Sequence, residues 1–231
     1  MFSDFEIYID YLLESKLFEG LSVEEIEKFL NAVNYKILEF KANEDIPIDI
    51  DKSVFILDGS IATYDNRPDG TRSFINTFET NGNNLVPITI RRPYPYENFC
   101  IAARKNSIVL YIATMALMKP VIGVIYIQNI ILENVIKIFY TMTECIVERT
   151  FINTSSYASV RVKKYLALQL AKQETNPIKI PLKRTELANH LNMDISTINR
   201  EFSKLISLGY ISVSGKNVKI LNEEKIKECF E

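Results

Sequence analysis

The chain reads as an α+β protein in three successive parts: a domain of short strands, one long helix, and a C-terminal helix-turn-helix followed by a β-hairpin. Three observations predict it. Six or seven short β-type runs lie at close, regular spacing between positions 35 and 113. Positions 121–150 are strongly apolar and free of Pro and of Gly except Gly123. Positions 182–210, LKRTELANHLNMDISTINREFSKLISLGY, carry two short segments of helical period around a turn.

Ahead of the strands, positions 4–31 read as helical, with Leu12, Leu13 and Leu17 before a break at Glu19-Gly20. Ser22-Val23-Glu24-Glu25 is a capping box that opens a second helix with Ile26, Phe29 and Leu30 on its apolar side. From Tyr35 the period changes. Runs are expected at 35–40, 54–57, 61–64, 73–78, 85–90, 99–103 and 108–113, with turns at Asp58-Gly59, 65–70 and 80–84. Strands so arranged predict a β-roll or sandwich, whose interior can hold a small ligand.

Pro120 marks the start of the long helix. Val124, Gln128, Ile131, Val135, Ile138, Met142 and Cys145 step by threes and fours, a nearly continuous seam with one polar break at Gln128. Thirty residues at about 1.5 Å each make a rod of roughly 45 Å. Such a seam predicts pairing with a second copy across a two-fold axis, or burial of the helix along its own β-domain. Positions 151–156, FINTSS, are the expected hinge, with three capping residues to open a helix that runs to about Gln173. The expected domains are 1–118, 119–152 and 153–231.

In the helix-turn-helix, Leu187, Ala188 and Leu191 mark the first helix. Asn192-Met193-Asp194 breaks it, and Asp194 is placed to cap the second. There Ile198, Phe202, Leu205 and Ile206 form the expected apolar face, against Ser196, Thr197, Asn199, Arg200, Ser203 and Lys204 on the other, and Gly209 ends it. Two alternating runs about Ser214-Gly215-Lys216-Asn217 predict a basic wing.

Charge is distributed to match. Positions 1–115 hold 11 Lys and Arg against 18 Asp and Glu, a net of −7; positions 116–231 hold 16 against 11, a net of +5. The helix-turn-helix lies in the basic half, as phosphate binding requires. Cys100, Cys145 and Cys229 lack metal or disulfide spacing and read as reduced thiols of a cytoplasmic protein. One histidine, His190, builds neither a zinc site nor a catalytic triad and reads as a surface or packing residue. No catalytic residue, metal site or cofactor is therefore expected, and a metal-dependent β-barrel enzyme is disfavoured. The start is acidic, without a signal-peptide pattern, and polar residues interrupt the most apolar stretch, so no membrane span is expected.

The order of parts, with Glu186-Leu187-Ala188 and Ser196-Thr197-Ile198-Asn199-Arg200, resembles the cyclic-AMP receptor protein and fumarate-nitrate regulator (Crp/Fnr) family of bacterial transcription factors. The run from Val54 to Ile61 looks like that family's strand-Gly-strand hairpin, and Asp69-Gly70-Thr71-Arg72 like the loop after it. The resemblance implies a cyclic-nucleotide-binding-like β-roll (a jelly roll), a long dimerisation helix and a winged helix-turn-helix. It implies a homodimer on a palindromic double-stranded DNA site, with RNA polymerase as a further partner. Base reading then falls to Arg200 first, next to Ser196 and Ile195, and then to Asn199 and Ser203. Phosphate contacts fall to Lys183, Arg184, Thr197, Lys204, Lys216 and Lys219.

Two departures from the family pattern matter. The first arginine and the glutamate of the reading signature are here Ile195 and Ser196, so a different site is expected. Where nucleotide binders hold a phosphate-gripping arginine this chain has Glu97, so a cyclic nucleotide is not the expected effector, although Arg91, Arg92 and Arg104 leave anion capacity nearby. An unidentified small molecule, a peptide or thiol, and a sensor that has lost its ligand all stay open. So does a winged helix that binds protein rather than DNA.

Overall fold

The computed structural model describes residues 4–49, 51–79, 85–86 and 98–230. Two compact units emerge, Met1–Glu144 and Cys145–Glu231.

The first unit opens with α1 (Asp4–Glu14), a 3-10 turn (Lys16–Phe18) and α2 (Val23–Ala32). The capping box is present: the Glu25 amide donates to Ser22 Oγ at 3.3 Å and the Ser22 amide to Glu25 Oε2 at 2.9 Å. Among the described residues seven strands follow: β1 (Tyr35–Phe40), β2 (Lys52–Asp58), β3 (Ser60–Asn66), β4 (Arg72–Glu79), β5 (Leu85–Val86), β6 (Phe99–Ala103) and β7 (Ser107–Ala113). They form two antiparallel sheets, ordered β1-β7-β2-β5 and β4-β3-β6. Strand β2 is buried without alternation from Ser53 to Leu57 because α1 and α3 (Thr114–Met118) pack against its sheet as well as the second sheet does.

One expectation fails here. The strands on either side of Gly59 are not a hairpin, since β2 and β3 lie in different sheets. Gly59 is the corner where the chain changes sheet, at a φ of +109°. A Cβ there would stand 2.2 Å from Ser107 Oγ and 2.6 Å from Ser107 Cα, so only glycine fits. Ser107 locks the same corner, accepting from the Ser60 amide at 3.1 Å and donating to the Ser60 carbonyl at 3.2 Å.

The long helix α4 spans Ile125–Asn153. Of the two expectations for the seam, the one the structure shows is burial along this chain's own β-domain. Val124, Gln128, Ile131, Val135, Ile138 and Met142 are all buried, and all but Gln128 join the apolar core of the first unit; Cys145 is half-buried. The reason is the amount of apolar surface the helices and β-roll leave to cover. Gln128 is not a flaw in a seam. Its Oε1 accepts from the Val121 amide at 2.9 Å, and its Nε2 donates to the carbonyls of Ala116 and Lys119 at 2.8 and 2.6 Å. It thus satisfies three backbone groups in the turn from α3 into α4. Nearly two turns further, buried Asn134 donates to the carbonyls of Leu17 and Glu19, at 3.1 and 2.8 Å.

In the second unit, α5 (Ala158–Gln173) leads through β8 (Ile178–Lys179) to α6 (Arg184–His190) and α7 (Ile195–Ser207). The hairpin β9 (Ile211–Ser214) and β10 (Asn217–Ile220) follows, then α8 (Glu223–Lys227). The strands form one sheet, β8-β10-β9. Val162, Leu166, Leu187, Leu191, Ile198, Phe202, Ile211, Val218 and Ile226 make its core. The expected hinge is ordered into this unit. Helix α4 continues through Phe151, whose ring stacks on Phe230 with centroids 6.1 Å apart, while Ile152 is buried. Lys164 Nζ lies 4.1 Å over the Phe151 ring. The capping residues act otherwise than expected: Tyr157 is the N-cap of α5, and Ser155 Oγ accepts from its amide.

Candidate nucleic-acid interface

Helix α7 is sharply two-sided. Ile198, Phe202 and Leu205 are buried, whereas Ile195, Ser196, Asn199, Arg200, Ser203 and Lys204 are exposed. Ile206, expected on the apolar face, is instead 46% exposed. It follows Leu205 by 100° around the helix and falls beyond the edge of the core stripe. Gly209, at a φ of +72°, ends the helix: its amide donates to Ile206 O at 2.9 Å and the Tyr210 amide to Leu205 O at 2.9 Å. Asp194 takes the N-cap position, but its side chain makes no capping hydrogen bond. The first turn of α7 therefore keeps its amides directed outward.

The five residues expected to read bases stand together on this exposed face. Arg200 retains 71% of its side-chain surface, with Nε 3.6 Å from Glu201 Oε1. Ile195, at the first turn, is 44% exposed, apolar surface that no core claims. Thr197 is half-buried. Lys204 lies on the same helix, and Lys216 and Lys219 on the wing, where Gly215 at a φ of +59° makes the tight turn. Among the described residues these three lysines and Lys183 form no ion pair, while Lys163, Lys172, Lys225 and Lys227 do. Arg184 behaves differently from the other expected phosphate contacts. Its guanidinium lies 3.6 Å over the Phe202 ring, and burial lowers its pKa. It holds α6 to α7 by stacking.

The turn between α6 and α7 is fixed from outside by residues that pattern reading did not single out. Arg149 Nε donates to His190 O at 3.3 Å and Nη2 to Asn189 O at 3.3 Å. Asn153 Nδ2 donates to His190 O at 3.0 Å. Arg161 Nη1 donates to Leu191 O and Asn192 O, both at 2.8 Å. His190 itself packs edge-on against Tyr165, with centroids 5.8 Å apart. Burial, then the charges of Arg149 and Lys172, pull its pKa down to about 4, so it is neutral at physiological pH.

In the first unit, Asn81, Asn84, Arg91, Arg92 and Glu97 lie outside the described residues. Arg104 is engaged, donating to Thr77 Oγ1 at 3.2 Å and lying 3.8 Å from Glu79 Oε1. Arg72 makes a two-pronged pair with Asp45, at 2.7 and 2.8 Å. Among the described residues no group of three or more His, Cys, Asp and Glu is placed to hold a metal ion. No described helix is long and apolar enough to cross a membrane.

Residues 160–229 match the Crp-like helix-turn-helix domain family. No curated protein matches the chain. Several solved structures share its fold along most of its length. A cysteine-to-serine variant of CprK complexed with OCPA aligns with a TM-score of 0.70 at 14% identity, over 89% of this chain and 93% of that one. CooA from Carboxydothermus hydrogenoformans gives 0.65 at 14% identity, over 91% of each chain. The c-di-GMP responsive regulator CLP of Xanthomonas campestris gives 0.57 at 15% identity, over 86% and 99%. At these identities the likeness is one of fold.

Proposed function

We propose that this chain, with a Crp-like helix-turn-helix domain at residues 160–229 on a fold shared with CprK, CooA and CLP, is a DNA-binding transcription regulator of the Crp/Fnr type. The observation that carries this reading is the exposed face of α7. A domain matched to that family presents Ile195, Ser196, Asn199, Arg200 and Ser203 to solvent beside unpaired lysines. Arg200 suits a guanine edge, Asn199 an adenine, and Ile195 a thymine methyl; Ser196 and Ser203 accept either donor or acceptor. Lys204, Lys216 and Lys219 suit phosphates.

The regulator acts as a homodimer, through the face of α4 opposite the buried one. Ile125, Asn129, Leu132, Ile136, Phe139, Thr143 and Ile146 alternate steps of four and three, a heptad pattern, and all are exposed. Two such copies place their reading helices in successive major grooves, about 34 Å apart, on an inverted repeat. We take the effector to be other than a cyclic nucleotide, because the sequence has Glu97 where the family's nucleotide binders hold a phosphate-gripping arginine, and Arg104 is held by Glu79. No catalytic role is assigned. RNA polymerase is the further partner that activation would require.

Selection of bound sequences from a random DNA pool with the full-length protein tests this. An inverted repeat is expected, and Arg200→Ala should weaken binding to it about 10–100-fold while sparing non-specific binding. Lack of enrichment, with binding that salt does not weaken, would favour a winged helix that binds protein. Ile136→Glu should turn a dimer into a folded monomer in sedimentation; an unchanged dimer would reject this face as the interface.

A further inference from the structure

Five donated hydrogen bonds converge on four consecutive carbonyls, Asn189 to Asn192, where α6 ends and the turn to the reading helix begins. A helix C-terminus carries unsatisfied carbonyls and partial negative charge, so cationic donors there are well matched. The donors come from neither helix of the pair: Arg149 and Asn153 sit on the last turns of α4, and Arg161 on α5. Asn153 Nδ2 also donates to Arg149 O at 2.9 Å, which ties the two α4 donors together. Arg149 is half-buried, and burial lowers its pKa. An arginine taken out of water in this way is held by its partners rather than resting on a surface.

We infer that Arg149, assisted by Asn153 and Arg161, is a positioning residue that fixes the reading helix to the end of α4 and so sets which half-site spacing the protein accepts. This rests on the DNA-binding dimer reading above. The chain between α4 and α5 is short, and residues 154–157 alone would leave the helix-turn-helix free to turn. The bonds to carbonyls 189–192 remove that freedom directly, because the turn they grip continues into Ile195 and the first turn of α7. A residue acting this way need not touch DNA, and its loss should relax spacing more than it weakens a single half-site contact.

The test compares full-length wild type with Arg149→Gln and Arg149→Lys. The probes are a single half-site duplex and inverted repeats at the selected spacing and at spacings one and two base pairs longer or shorter. Sedimentation checks the dimer and circular dichroism the fold. Wild type should prefer its selected spacing at least tenfold over its neighbours. Arg149→Gln should narrow that preference to within about threefold while its half-site affinity stays within about threefold of wild type. Arg149→Lys, which keeps the cation but loses the fork, should fall between them. A spacing preference equal to wild type in Arg149→Gln would overturn the inference. If that variant fails to fold, Arg149→Lys carries the test, and a full spacing preference in it would overturn the inference equally. A wild type that prefers no spacing would overturn both the inference and the dimer reading, and is told apart because the failure then lies in the unmodified protein.

Discussion

Helices α4 and α7 each bury one apolar face, yet they treat their second faces in opposite ways. On α7 the face away from the core is polar and cationic, apart from Ile195 at its start and Ile206 at its edge. On α4 both faces are apolar: Ile131, Val135 and Ile138 are buried, and Leu132, Ile136 and Phe139 are exposed. An apolar stripe shows that a face is covered, but not by what. Where only one stripe exists, the answer is forced. With two, the chain's own core takes one, and the other is the face proposed above to meet a second copy.

The largest effect should come from the inner stripe. Ile131→Ala should cost about 3–5 kcal/mol in denaturant unfolding, as should Ile198→Ala on α7, since each empties a fully buried site. Ile136→Ala should shift unfolding only in a concentration-dependent way. If Ile136→Ala matched Ile131→Ala at every concentration, the distinction between the stripes would be lost.

His190 probes the junction of α4 with the helix pair. Unfolded, the imidazole takes up a proton near pH 6.5; folded, it does so only near about 4. The unfolded chain therefore binds more protons between these values, and stability is full above pH 6.5 and falls as pH drops through the window. The loss is at most about 3 kcal/mol. His190→Gln should flatten that part of the stability–pH curve; an unaltered slope would place the effect elsewhere.

Gln128→Ala sharpens the account of α4 further. It leaves three backbone groups unbonded in the turn before the helix. About 2 kcal/mol should be lost, without change in dimer dissociation. Weakened dimerisation would mean that Gln128 faces the partner. The smallest effect belongs to the polar face of α7, where Arg200→Ala should alter stability by less than about 0.5 kcal/mol.

The sequence by itself determined the order of elements, the capping box at Ser22 and the solvent face of α7. Each depends on neighbours within a few residues: a side chain three positions from its amide, or a polar arc of one helix. That solvent face was legible because Ser196, Asn199, Arg200 and Ser203 leave a single apolar stripe opposite them. Only the tertiary structure decided what lay beyond that range. It turned Val124 to Met142 inward, because a β-roll more than ten residues away in sequence had apolar surface to cover. It made Gly59 a corner between sheets rather than a hairpin turn, since strand partners are chosen across the fold. It also brought Arg149 and Arg161 onto carbonyls 30 to 41 positions away. A lone arginine at the end of an apolar helix carries no local mark of such a partner, because the carbonyls it meets are backbone groups that any sequence supplies.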